Sequence, residues 1–161
     1  MNINSTTASL RKLFVDNNTT TNGGLSESLE KKVQLILSGI QGSHSNLPGR
    51  IDLYPYLHVE AASNVRDFES LGNNSRRENT ATWDIIAATY YGQGSGDQHQ
   101  AKQFADMELL QLCANIEGII DNNVNAIVDW MNVSSVNYSS QIGDKTYQAI
   151  ATIQVTGRSI S

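Results

Sequence analysis

Cysteine is nearly missing: Cys113 is the only one in 161 residues. A lone thiol excludes an intrachain disulfide and cannot anchor a zinc cluster of the usual kind. The three histidines, His44, His58 and His99, show no paired spacing that would set two on one face, so no metal site is expected. Positive charge is scarce as well. Eleven Lys and Arg against 16 Asp and Glu leave a net charge of -5, and the pI is near 5.0. A general affinity for the phosphate backbone needs clustered Lys and Arg, so free nucleic acid is not expected as a ligand. No apolar run approaches the roughly 20 residues that a membrane helix needs. The start Met1-Asn2-Ile3-Asn4-Ser5 has no secretory apolar core, so the chain is expected in the cytosol, with no membrane partner. Gly-x-Ser-x-Gly, a Cys-His signature and a Gly-Lys-Ser/Thr phosphate loop are all missing.

What remains is long enough for one domain with a core of its own. Residues 1–24 are rich in Asn, Ser and Thr and end in Asn22-Gly23-Gly24. They are expected to form a flexible N-terminal arm: a loose tail, or a segment that orders on a neighbouring subunit. Its apolar island is Leu10, Leu13, Phe14 and Val15, of which Leu10, Leu13 and Phe14 fit one helical turn face. The single α+β domain then runs over residues 25–161.

From Ser26, a suitable N-cap, Leu29, Val33, Ile36, Leu37 and Ile40 recur at helical spacing up to Gly42. After Leu47-Pro48-Gly49 the period changes to two, with Leu53, Leu57 and Val59 opposite Tyr54, Tyr56 and His58. The segment from Ile51 to Glu60 is thus a strand whose start lies at an edge or before regular pairing, because Pro55 cannot donate a ladder hydrogen bond. A polar stretch over residues 67–79 reads as a projecting hairpin loop, followed by a strand from Thr80 to Tyr91. Asp97 caps a helix to about residue 121, roughly 36 Å long. Its apolar stripe is Ala101, Phe104, Ala105, Leu109, Leu112, Cys113, Ile116, Ile119 and Ile120. A β-prone stretch from Asn125 to Tyr138, with Val128, Trp130, Val133 and Val136, shifts its alternation near Ser134-Ser135, as a bulge would. The closing strand alternates cleanly over Tyr147, Ala149, Ala151, Ile153 and Val155. The fold expected is a four-stranded, largely antiparallel sheet packed with two main helices, a long hairpin loop and an extended N-terminal arm.

Little in this layout carries chemistry. Gly92, Gly94 and Gly96 lie between a strand and a helix, where N–H groups hold phosphates. Their spacing is not Gly-x-Gly-x-x-Gly, and Asp97 places a negative charge there. A flexible turn accounts for the run. Arg66, Arg76 and Arg77 are balanced by Asp67, Glu69 and Glu78. Cys113 lies on an apolar stripe and reads as a small buried hydrophobe. No catalytic, cofactor-binding or metal-binding residue is assigned, and the chain is not expected to be an enzyme.

An amphipathic helix, a Tyr-Pro-Tyr-Leu-His-Val-Glu strand, a long loop, a second strand, a long helix and a hairpin ending in Tyr147-Gln148-Ala149-Ile150-Ala151-Thr152-Ile153-Gln154-Val155 make a layout that resembles the tail-terminator proteins of long-tailed bacteriophages. The resemblance covers roughly residues 25 to 158 and rests on element order and strand character. It implies a structural virion protein, assembled in host cytoplasm as a homo-hexameric ring. Such a ring caps the tail tube and joins it to the head-side neck or connector, with DNA only as passing cargo. The loop over residues 65–79 and the chain ends would then make the contacts, with Leu10, Leu13, Phe14, Arg66, Phe68, Arg76, Arg77 and Arg158 as interface residues. The N-terminal segment would serve as a clasp on tube, sheath or neck. The alternatives are a head-completion or stopper protein, a tail-tube subunit or, through the glycine run, a small nucleotide-binding enzyme.

Overall fold

The computed structural model describes residues 1–36, 53–68, 77–92, 98–142 and 146–160. In chain order the elements are α1 (Ile3–Asp16), β1 (Gln34–Leu35), β2 (Tyr56–Phe68), β3 (Arg77–Gly92), α2 (Gln98–Asp121), β4 (Trp130–Ile142) and β5 (Thr146–Ile160). They build one five-stranded sheet in the order β1-β2-β3-β5-β4. β1 runs parallel to β2, while β2–β3, β3–β5 and β4–β5 are antiparallel. The sheet is therefore mixed and five-stranded, which corrects the four-stranded, largely antiparallel expectation. Since β5 lies between β3 and β4 and opposes both, α2 is the crossover linking two parallel strands. No described helix is long and apolar enough to cross a membrane.

The added strand comes from the segment that reads as a helix. Gln34 N–H donates to Pro55 O at 2.8 Å and Ile36 N–H to Leu57 O at 2.9 Å, which fixes β1 in parallel register beside β2. Ser26 caps no helix. Its hydroxyl bonds the Asn18 side chain and accepts the Val33 N–H at 3.0 Å, and Ser28 has a φ of 59°, outside the right-handed region. Leu25 and Val33 are still buried in the core. Turns deliver these apolar residues to the core as well as a helix would. Residues 37–42, the rest of that expected helix, lie outside the described residues.

The extended arm is corrected too, because residues 3–16 form a helix of the domain itself. Asn2 caps it through Oδ1, which accepts the N–H groups of Asn4 at 3.0 Å and Ser5 at 3.3 Å. A helix of 14 residues is marginal alone, so its stability comes from packing. Leu10 and Phe14 are fully buried against the sheet, each burial worth about 1.5–3 kcal/mol. Two polar links fix the docking. Trp83 Nε1–H donates to Thr7 Oγ1 at 2.9 Å, and Arg11 holds Val59 O through Nε and Nη2 at 3.1 and 2.8 Å.

Alternation in β3 and β5 decides which sheet face packs on the helices. Ala81, Trp83, Ile85 and Ala87 share one face with Ala149, Ala151, Ile153 and Val155. α2 covers that face with Ala105, Leu109, Leu112, Ile116 and Ile120. Gly157 belongs to the same face: a Cβ there would lie 2.8 Å from Trp83 Cζ3, so only glycine lets β5 pass over the indole. On the opposite face a smaller cluster gathers Tyr54, Tyr56, Ile86, Ala88 and Ile150. The shift at Ser134 is a break in the β4–β5 register between Val133 and Ser135. The loop expected over residues 65–79 is shorter than that, because the strands stay paired out to Phe68 and Arg77.

Candidate interaction surfaces

One cleft has the shape of a ligand site. It holds about 220 Å³ and is lined by Glu30, Lys31, Tyr54, Pro55, Tyr90, Tyr91, Gly92 and Glu108. The Tyr91 hydroxyl donates a short hydrogen bond to the Glu108 carboxylate. Burial raises the Glu108 pKa, partly offset by that bond, and burial followed by the neighbouring carboxylate raises that of Tyr91. Tyr54 is pushed up to about 12 by burial and by Tyr90. These phenols stay protonated at neutral pH and offer no base or nucleophile. Gly92 lies here, and Glu30 and Glu108 beside it disfavour a bound phosphate by like charge. Residues 93–97, with the other two glycines, lie outside the described residues.

Other reactive groups are equally quiet. Cys113 is buried, and its thiol is pushed up to about 12 by burial and by Glu117, so it is the inert structural kind. His58 is buried on β2 with Nδ1 2.8 Å from Ile36 O and Nε2 3.7 Å from Glu60 Oε2. Among the described residues no group of three or more His, Cys, Asp or Glu converges as a metal would need.

The residues expected at interfaces divide into two groups. Leu10 and Phe14 are core residues, and Leu13 is half-buried against them. They serve the chain's own fold because α1 docks on it. Arg66, Arg77 and Arg158 are brought to one end of the sheet, in registers Arg66↔Asn79, Phe68↔Arg77 and Thr80↔Arg158. The Phe68 backbone is at the same end, while its side chain and Arg76 lie outside the described residues. Arg158 is exposed, with Nε 3.6 Å from Glu78 Oε1 and its guanidinium carbon 6.0 Å from the Trp130 ring centroid. Trp130 is 43 % exposed and Ile160 50 %. Together with Glu78 and Asp129 they line an open depression of about 390 Å³. Trp130 and Arg158 are direct cross-strand partners on the sheet face away from α2.

A second apolar surface faces the other way. Phe104, Met107 and Leu110 on α2 are 51, 60 and 55 % exposed. Phe104 therefore points to solvent, although its spacing placed it in the core stripe. At 100° per residue, Gln100, Gln103, Phe104, Met107, Leu110, Gln111, Ala114 and Gly118 share the outward face of α2, which carries no charge before Asp121 in its last turn. An exposed helix face normally carries charge. Tyr138 of β4, also more than half exposed, extends this surface, and with Leu109, Leu110 and Tyr147 it lines a groove of about 380 Å³. Exposed large apolar groups gathered this way mark an interaction surface. Sequence spacing gave no signal for Met107 and Leu110, although the lack of charge on this helix face from Gln100 to Gly118 was available to be read.

Between the two surfaces runs β4, 13 residues long and at the end of the strand order. An edge of that length invites pairing with another chain. Comparison with protein-family models gives no match, and comparison with curated proteins gives none either.

Proposed function

We propose that this chain is a structural subunit that works by assembling with copies of itself, as the terminator ring of a long-tailed phage: it caps the tail tube and joins it to the neck. One observation carries the proposal: exposed apolar side chains gather at two separate places, the outward face of α2 and the Trp130 end of the sheet, joined by the edge strand β4. The resemblance supports the particular role. Of its element order the chain has the β2–β3 strand pair, α2 and the β4–β5 hairpin in sequence, whereas residues 25–36 form turns and β1 and not its first helix. Helices of 14 and 24 residues and an open sheet favour a terminator over a tube subunit, which builds a more complete β-barrel.

The test is to mix the purified chain with tail tubes assembled from purified phage tail-tube protein, then image the tubes by negative stain. The expected result is a sixfold ring on tube ends and no further growth. Tubes that stay open and keep elongating in its presence overturn the terminator role.

A further inference from the structure

The cleft beside Tyr91 holds two carboxylates, Glu30 and Glu108, and Lys31 is the only cation lining it among the described residues. The Tyr91 hydroxyl donates to Glu108, and burial, then Glu108, then Glu30 raise its pKa, which sets the phenol between the two acids. Glu108 itself is governed first by burial, which raises its pKa, and then by the Tyr91 hydrogen bond, which lowers it. After these Glu30 raises it by more than Lys31 lowers it. Lys31 therefore does not neutralise the pair. A half-buried carboxylate held in this way costs stability in the free chain, and a perturbed acid lining a cleft marks a binding site.

The aromatic lining decides which cation fits. Tyr54 and Tyr90 stack with ring centroids 5.2 Å apart and planes at 29°. Tyr54 is buried, whereas Tyr90 is half-buried and leaves part of its ring open to the cleft. A compact ammonium uses mainly the negative charge of such a site. A planar guanidinium also stacks on a phenol ring while its N–H fork reaches carboxylates. Free arginine would bring its own carboxylate towards Glu30, which is exposed, and like charges repel. An arginine inside a polypeptide has no such group.

We infer that this cleft receives an arginine side chain of a protein partner, with the guanidinium stacked on Tyr90 and paired with Glu108 and Glu30. The contact is separate from the exposed apolar surfaces and does not depend on the tube-capping role. It also gives the Glu108 charge a use: the carboxylate that weakens the free chain is the one that holds the arginine.

The test is an NMR titration of the isotope-labelled full chain with N-acetyl-arginine amide. N-acetyl-lysine amide, free arginine and sodium chloride serve as comparisons at the same ionic strength. The capped arginine is expected to shift the backbone amides of Tyr90, Tyr91 and Gly92 and to saturate with a Kd of about 1 mM, as suits a ligand of its size. The lysine compound and free arginine are expected to bind several-fold more weakly. Glu108→Gln keeps an acceptor for Tyr91 and removes the charge, so the variant stays folded and is expected to bind about tenfold more weakly. Glu30→Gln changes an exposed residue and is expected to lose a smaller factor. Three outcomes overturn the inference: no shift at these amides up to about 100 mM, lysine amide or free arginine binding as tightly as the capped arginine, or an affinity unchanged in Glu108→Gln. The tube assay reads the other proposal on its own. A chain that binds the capped arginine but leaves tubes open keeps this contact and loses the role, whereas one that caps tubes without binding it does the reverse.

Discussion

Tyr56 is fully buried on the sheet face away from α2, with its ring 5.3 Å from that of Tyr54. Its hydroxyl finds no hydrogen-bond partner among the described residues. A buried hydroxyl without a partner loses its hydration with no compensating hydrogen bond, while the ring packs equally well without it. Tyr56→Phe is therefore expected to stabilise the chain by about 1 kcal/mol, read as a higher urea midpoint with unchanged slope. Glu108 gives a prediction in pH. Its folded pKa is raised by burial, so the folded state holds the proton more tightly than the unfolded chain. Stability is then fully present below the ordinary carboxyl range and falls as pH rises through the raised value. Glu108→Gln keeps an oxygen acceptor for Tyr91 and removes the ionisation. Its melting temperature should exceed that of the wild type at pH 7, and the difference should shrink as pH falls below 4. A difference that stays constant with pH would mean that burial of the charge is not what Glu108 contributes.

At the scale of elements, α1 discriminates two roles for one segment. As an arm, Leu10 would matter only to contacts between subunits. As a docked helix, Leu10→Ala leaves a cavity in the core and is expected to cost about 2–5 kcal/mol of stability in the monomer, measured by urea unfolding. α1 was hard to read because Asn, Ser and Thr dominate residues 2–7, and these residues cap and turn as readily as they form a helix. In the structure the same polarity is useful: Asn2 caps and Thr7 accepts the Trp83 indole. The segment after Ser26 misled for the opposite reason, since Leu29 and Val33 have helical spacing but reach the core through turns. By contrast α2, β3 and β5 were legible, because each keeps one period over many residues and tertiary packing agrees with it. Phe104 marks the limit of that signal, because apolar periodicity shows which residues are hydrophobic but cannot say whether the chain or a neighbour covers them. The Arg66, Arg77 and Arg158 grouping was legible as residues but not as a site, since β5 brings Arg158 to the hairpin end only through its pairing with Thr80.

For the whole molecule, the deciding quantity is whether head-to-tail contacts close. Two unlike surfaces on opposite sides of a two-layer body propagate without limit unless each contact turns the next copy by a fixed fraction of a circle. A closed ring has no free half left once complete, so its size stops responding to concentration. Sedimentation coefficients measured over a wide concentration range should therefore rise and then level at one species, whereas an open filament would keep growing. Salt separates apolar burial from charge in such an assembly. The Debye length falls from about 10 Å at 0.1 M to about 3 Å at 1 M salt, so attractions between exposed charges are screened. Burial of the exposed apolar side chains Phe104, Met107, Leu110 and Trp130 is not weakened by screening. High salt should thus shift the onset of assembly by a modest factor and leave the final size unchanged. A final size that changes with salt would mean that charge, not apolar fit, sets the angle between copies.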